Sequence, residues 1–128
     1  MAYADERDAG GTALSPYRGQ NANMHTVEAL IAAFEATGEA RYLDRGDDVA
    51  RQFTVTLAKA AEGQVWEHYT EDWQHDWTYN IDKPDDLFKP WGFQPGHQVE
   101  WRSCCYNSTC TAPPTGTLQQ QNGSMTSP

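Results

Sequence analysis

The stretch NMHTVEALIAAFEATG, residues 23–38, decides the fold of this chain. Its apolar side chains recur three or four positions apart, which is the period of one face of an α-helix. They are Met24, Val27, Leu30, Ile31 and Phe34. Gly38 supplies the residue type that most often ends a helix. The stretch therefore predicts an amphipathic helix that ends at Gly38.

A second apolar stripe follows after a few residues and predicts a second helix. It comprises Tyr42, Leu43, Val49, Ala50, Phe53 and Leu57, and Gly63 ends it. Two consecutive stripes with a short connection predict a helical hairpin. Gly46 weakens the second helix by about 1 kcal/mol relative to alanine.

Residues 64–95 have a different character, being rich in aromatic residues, proline, aspartate and asparagine. Short alternating runs at 64–69 and 76–81 predict a small β-hairpin within a long loop, and long loops are often functional. A third helix is predicted to start near Gly96. The expected fold class is all-α, with two to three helical hairpins and this aromatic loop.

Length and charge exclude several classes of function. A chain of 128 residues accommodates one domain, and its net charge of −9 argues against nucleic-acid and anionic-membrane partners. No secretory signal and no membrane-spanning apolar run is visible, which predicts a cytoplasmic protein. Three clustered cysteines, Cys104, Cys105 and Cys110, have no histidine at zinc-like spacing, so neither a disulfide framework nor a zinc site is predicted.

The motif H-x-V-E occurs twice, as His25–Glu28 and as His97–Glu100. Residues three or four apart share one edge of a helix, so Asn21 joins the edge of His25 and Glu28. A glutamate beside an imidazole favours the charged ring and fixes its orientation, which suits a group that transfers protons. These side chains are therefore candidates for a common pocket.

Structural explanations of the same residues stay open. Asn21 could cap the helix, Glu28 could face the helix dipole, and His97 could simply open the third helix. A metal site is not predicted, because the sequence holds no H-E-x-x-H or paired-cysteine signature.

The loop aromatics, interleaved with aspartate, asparagine and histidine, are suited to a sugar, whose apolar faces stack on rings while carboxylates accept its hydroxyls. Core packing explains many of these aromatics equally well. Glu67 is the loop residue predicted to point into a cleft.

In order along the chain, YRGQNANMHTVEAL and WEHYTEDWQHDWTYNIDKPDDLFKPWGFQPGHQVEW resemble the N-acylglucosamine 2-epimerase family, and particularly its branch of mannose and sulfoquinovose isomerases. The resemblance covers roughly residues 17–101. It implies an (α/α)6 barrel, of which this chain would form an internal part. Inner helices of such a barrel present their N-terminal ends to a central pocket, so two H-x-V-E motifs from different hairpins can converge.

The resemblance also implies a sugar isomerase or epimerase reaction through an enediol intermediate. The match of NANMHTVEA favours the isomerisation of an aldose to a ketose, such as mannose to fructose, over epimerisation. His97 matches the general acid/base and Glu100 the carboxylate that partners it, while Asn21 and His25 match groups that bind sugar oxygens and assist ring opening. No cofactor and no metal is implied. Because no histidine follows His97 to serve as the second acid/base, the chain alone is predicted to be inactive. The alternative is a non-catalytic remnant that binds a monosaccharide or assembles through exposed apolar helix faces.

The predicted organisation is a polar N-terminal segment at 1–16, the domain fragment at 17–101, and a polar, disordered tail at 102–128. The tail is hypothesised to be an out-of-frame translation. If Ser103 has an AGC-type codon, the codons of residues 103–106 encode three consecutive leucines in a shifted frame, and the remainder is compatible with a helix. The cysteines would then have no selected role.

Overall fold

The computed structural model of the chain describes residues 2–107, which form three helices and one two-stranded sheet. In chain order the elements are β1 (Arg18–Gly19), α1 (Gln20–Thr37), α2 (Ala40–Arg51), β2 (His68–Tyr69) and α3 (Pro95–Asn107). After α2 the backbone stays helical through a π-helical turn, Gln52–Thr56, and a 3-10 turn, Leu57–Ala61. A complete barrel is not formed by these elements.

The predicted hairpin of α1 and α2 is confirmed. Gly38 ends α1 in the left-handed conformation at φ 71°, and its N–H donates to the Phe34 carbonyl at 2.7 Å. The apolar faces of the two helices pack together, with Val27 and Val49 fully buried. Gly46 lies at this contact, where an added Cβ would be 3.6 Å from Leu30 Cβ.

An aromatic cluster centred on Phe53 joins the hairpin to α3 and to the loop. The Phe53 ring stacks on Trp101 of α3 at 5.2 Å between centroids, and meets Tyr69 and Trp73 edge-on at 5.6 and 5.5 Å. Trp101 is 1% exposed. Because large buried rings dominate core energetics, this cluster fixes where α3 lies against α1 and α2.

The predicted hairpin between 64–69 and 76–81 is wrong. β2 instead pairs antiparallel with β1, the segment before α1, with Gly19 opposite His68. The chain after β2 turns back at Thr70–Gln74 and makes only an isolated bridge, Tyr69 with His75, because Asp76 and the residues after it form successive turns. This pairing brings the first residue of α1 beside Glu67: the Gln20 N–H donates to the Glu67 carbonyl at 3.2 Å.

Residues 70–94 contain no regular helix or strand and fold around the indole of Trp66. Trp77, Trp91 and Phe93 contact that ring at centroid distances of 4.8, 6.0 and 4.9 Å. The Trp66 N–H donates to the Asp76 carbonyl at 3.0 Å. Ring packing thus gives this loop a defined path beside the N-terminal end of α3.

The segments predicted to flank the domain also contain ordered structure, at residues 2–16 and 102–107. In the segment 1–16, Ala2 is 7% exposed and the Tyr3 N–H donates to Asn23 Oδ1 at 2.6 Å. Within the predicted tail, residues 102–107 continue α3, and the rest of the tail lies outside the described residues. No helix within residues 2–107 has the length and apolar character needed to cross a bilayer.

Candidate active site

The carboxylate of Glu67 holds the imidazole of His97. Nδ1 of His97 lies 2.9 Å from Glu67 Oε1 and 3.0 Å from Oε2. The Glu67 side chain is 5% exposed and that of His97 is 26% exposed, so the carboxylate is buried while the ring reaches the surface. Within residues 2–107, Nε2 of His97 makes no hydrogen bond and is available to a ligand.

Gln20 hydrogen-bonds to the carboxylate, and Trp101 in turn hydrogen-bonds to Gln20. Gln20, the first residue of α1, donates from Nε2 to Glu67 Oε2 at 2.9 Å, and that nitrogen is also 2.8 Å from His97 Nδ1. The Trp101 indole N–H donates to Gln20 Oε1 at 2.6 Å. Gln20 is fully buried and Trp101 is 1% exposed, so both lie in the core on the side away from the cleft.

His97 opens into a cleft of about 380 Å³ formed by the start of α1, the start of α3 and the loop. It is lined by Asn21, Leu87, Phe88, Pro90, Gln94, Gly96, His97 and Glu100. The described lining contains no lysine or arginine and one carboxylate, so the cleft suits a polar ligand without a strong negative charge. The size is in the range of small-molecule sites.

The structure brings the predicted site residues to one region. Asn21, His97 and Glu100 line the cleft, and His25 lies beside it on α1. Nδ1 of His25 is 2.8 Å from Glu28 Oε2, and ligand atoms of His25, Glu28 and Glu100 lie within 4.8 Å of one another. These three side chains are the group within residues 2–107 that has the donors to hold a metal ion.

The expected contact of His97 with Glu100 is not the one found. Among the described residues, the carboxylate that hydrogen-bonds to His97 is Glu67, whereas Glu100 faces the His25–Glu28 pair. The reason is geometric. The β1–β2 pairing places Glu67 next to the imidazole of His97, whereas Glu100 lies on the edge of α3 that faces α1. Asn21 does not cap α1 either, because Gly19 is the N-cap residue and no side chain caps it.

A buried histidine fixes the loop wall of the cleft. His68 donates from Nε2 to the carbonyl of Pro90 at 2.7 Å and accepts at Nδ1 from the Tyr17 hydroxyl at 2.8 Å. Burial lowers the pKa of His68, which agrees with a neutral ring in this pair of hydrogen bonds. The loop next to Phe88 is therefore tied to the sheet.

Sequence reasoning missed Gln20 and Trp101, although both directly adjoin motif residues. No spacing rule links Gln20 to His97, which lie 77 positions apart. The sequence did single out Glu67 as the loop residue that points into a cleft, but it did not identify His97 as its partner.

Comparison with known proteins gives a consistent set of relatives. The family described as N-acylglucosamine 2-epimerase (GlcNAc 2-epimerase) matches residues 1–109. A D-mannose isomerase of Marinomonas mediterranea is 54% identical over 100 residues, which cover 77% of this chain and 25% of the relative. A D-mannose isomerase of Thermobifida fusca is 43% identical over 94 residues, which cover 73% of this chain and 23% of the relative.

A solved structure agrees with these sequences. The crystal structure of a D-mannose isomerase superimposes with a TM-score of 0.75 at 52% sequence identity, covering 80% of this chain and 27% of that one. The chain thus spans about a quarter of the length of the relatives it matches.

Proposed function

Because this chain belongs to the N-acylglucosamine 2-epimerase family, we propose that it carries part of the active site of a sugar isomerase that converts an aldose such as mannose into the corresponding ketose. The observation that carries the proposal is the pair formed by His97 and Glu67. A buried carboxylate holds one nitrogen of the imidazole and leaves the other facing a cleft of sugar size.

The reaction needs a base of moderate strength close to two neighbouring carbons. His97 Nε2 removes the proton from C2 of the open-chain aldose, and the electron pair of the C2–H bond forms the C1=C2 bond of an enediolate with its charge on O1. The same nitrogen returns the proton to C1, while a second acid/base from another part of the enzyme carries the proton of O2 to O1, so the ketose is an isomer with nothing gained or lost. Imidazole suits both steps because its ordinary pKa of about 6.5 lies near neutral pH.

The other cleft residues have supporting roles in this proposal. The Asn21 amide and the Glu100 carboxylate hydrogen-bond to sugar hydroxyls, and His25, held by Glu28, assists ring opening. Phe88, 86% exposed at the cleft, offers an apolar face to the C–H side of the sugar.

The chain alone is proposed to be inactive. It spans only about a quarter of the curated relatives, and no histidine follows His97 to act as a second acid/base. Groups that act together in proton transfer lose most of the rate when one is missing. Purified chain should therefore form no fructose from mannose above a buffer blank.

A chimaera tests the proposal directly. The aligned segment of the Marinomonas mediterranea enzyme is replaced by that of this chain, and mannose-to-fructose conversion is measured. We expect the chimaera to be active, and His97→Asn within it to lower kcat by about 10²- to 10⁴-fold, the usual value of a general acid/base. His75→Asn, which removes a histidine that does not line the cleft, is the control. An active chimaera that is indifferent to His97→Asn would refute the proposed role.

One observation favours a second function, self-association of the chain. Leu87, Phe88 and Val99 are 90, 86 and 65% exposed, an unusual state for large apolar side chains near a binding cleft. The alternative predicts self-association through these residues. Light scattering of the wild type against Val99→Glu separates it from the catalytic proposal, which does not require the chain to associate with itself.

A further inference from the structure

We infer that Gln20 is a positioning residue for His97. Its amide, anchored by Trp101, holds the Glu67 carboxylate against Nδ1 of His97. This contact keeps the ring in the tautomer that presents an unprotonated Nε2 to the cleft. That this arrangement prepares His97 for catalysis rests on the proposed function. The hydrogen bonds themselves do not depend on any sugar.

Trp101 settles which way the Gln20 amide points. An indole N–H can only donate, so the atom 2.6 Å away must be the amide oxygen of Gln20. The amide nitrogen then faces the opposite way, toward Glu67 Oε2 at 2.9 Å. The direction of the bonds made by the Gln20 amide follows from that one donor-only group.

Burial makes the amide–carboxylate bond important. Gln20 is fully buried and Glu67 is 4% exposed, so water does not compensate either group if the bond is lost. A buried carboxylate keeps its charge and its place only when donors satisfy it. Gln20 supplies one such donor, and the ring of His97 supplies the other.

The position of the imidazole then decides its tautomer. Nδ1 faces both carboxylate oxygens, at 2.9 and 3.0 Å, and also the amide nitrogen at 2.8 Å. If Nδ1 were the acceptor, its lone pair would point at two anionic oxygens. A proton on Nδ1 removes that repulsion and makes a charge-assisted bond, which outweighs the close approach of the neutral amide. Nε2 of the neutral ring is therefore the free base.

The chain offers a closely matched control in Asn23. It is a buried amide on the same helix, is also 0% exposed, and donates to the carbonyls of Tyr3 and Gly19. Replacing either amide by leucine removes buried hydrogen bonds from α1, but only Gln20→Leu takes a donor from Glu67. A purely structural role for Gln20 predicts the same behaviour for both variants.

The experiment is a ¹⁵N–¹H correlation of the histidine side chains in the whole chain at about pH 9, well above the ordinary imidazole pKa of about 6.5, so that the tautomer is read directly. We expect His97 in the wild type and in Asn23→Leu to be protonated at Nδ1, and Gln20→Leu to show a mixture of tautomers. Wild-type His97 protonated at Nε2, or the same tautomer in Gln20→Leu as in the wild type, would overturn the inference.

Trp101→Phe provides a second variant if Gln20→Leu does not fold. It keeps a ring to stack on Phe53 and removes only the N–H that anchors the amide. We expect the same change of tautomer in smaller proportion, and an unchanged tautomer would count against the inference. The tautomer measurement uses no sugar, so its result is independent of the chimaera assay. If the tautomer depends on Gln20 but the chimaera isomerises mannose without His97, only the proposed function is refuted.

Discussion

Glu67 and His97 lie 30 positions apart in the chain, and the carboxylate of one is 2.9 and 3.0 Å from Nδ1 of the other. The contact depends on two separate features of the fold. The β1–β2 pairing places Glu67 beside the first turn of α1. The stacking of Trp101 on Phe53 places α3 so that its His97 contacts Glu67. A helical hairpin without this sheet would leave His97 with no buried carboxylate.

Glu67→Ala should destabilise the chain by about 1–3 kcal/mol, because it leaves the Gln20 amide without an acceptor in a buried position. Urea unfolding followed by tryptophan fluorescence measures the change. Glu35→Ala, which removes an exposed carboxylate from α1, is the control and should lie within about 0.5 kcal/mol of the wild type. Equal effects of the two substitutions would mean that Glu67 is not held as described.

Two glycine substitutions should act in opposite directions. Gly46→Ala should stabilise α2 by about 0.5–1 kcal/mol, because the new Cβ makes ordinary contact with Leu30 at 3.6 Å while alanine favours the helix.

Gly19→Ala should destabilise the chain by about 1–3 kcal/mol, because its Cβ would lie 2.8 Å from the Tyr17 hydroxyl and 3.0 Å from Asp5 Oδ2. Thermal melting of both variants checks the signs, and a higher melting temperature for Gly19→Ala would contradict the packing around β1.

Stability should fall on mild acidification, in part through His68. Burial lowers the pKa of His68 in the folded chain, so below the ordinary value of about 6.5 the unfolded chain binds a proton that the folded chain does not. The contribution is therefore present above about pH 6.5 and is lost as the pH falls toward 5. Unfolding free energies at several pH values measure the slope.

His68→Gln is the comparison for that slope. It should be less stable at neutral pH, because the bonds to Tyr17 and Pro90 change, but its stability should depend less on pH between about 7 and 5. An identical slope in both proteins would assign the effect to other groups, of which His75 is the first candidate because burial lowers its pKa as well.

Cys104 should resist alkylation until the chain unfolds. Its thiol is buried, 3% exposed, and burial raises its pKa to about 11, so little thiolate is present at neutral pH. Iodoacetamide labelling with peptide-level mass spectrometry, with and without urea, measures the protection. Rapid labelling of Cys104 in the native chain would show that α3 does not pack as described.

The sequence was a good guide where structure depends on local periodicity. The stripe from Met24 to Phe34 with Gly38 behind it predicted α1 and its end, and the next stripe predicted α2. It also identified three side chains, Asn21, His97 and Glu100, that meet in the cleft. The helix face presented by H-x-V-E is a local property, because residues three apart on a helix always share an edge.

The tertiary structure decided which groups touch across the chain. Strand pairing over two residues has almost no sequence signal, so β2 was assigned to a local hairpin when its partner was β1. That pairing places Glu67 beside Gln20, and the packing of Trp101 on Phe53 then places His97 of α3 against Glu67. The sequence by itself determined the first two helices, the end of α1, the start of α3 and the residue types at the cleft. Only the folded chain decided which carboxylate holds the histidine, because it pairs segments about 50 residues apart through backbone hydrogen bonds that any residue can make.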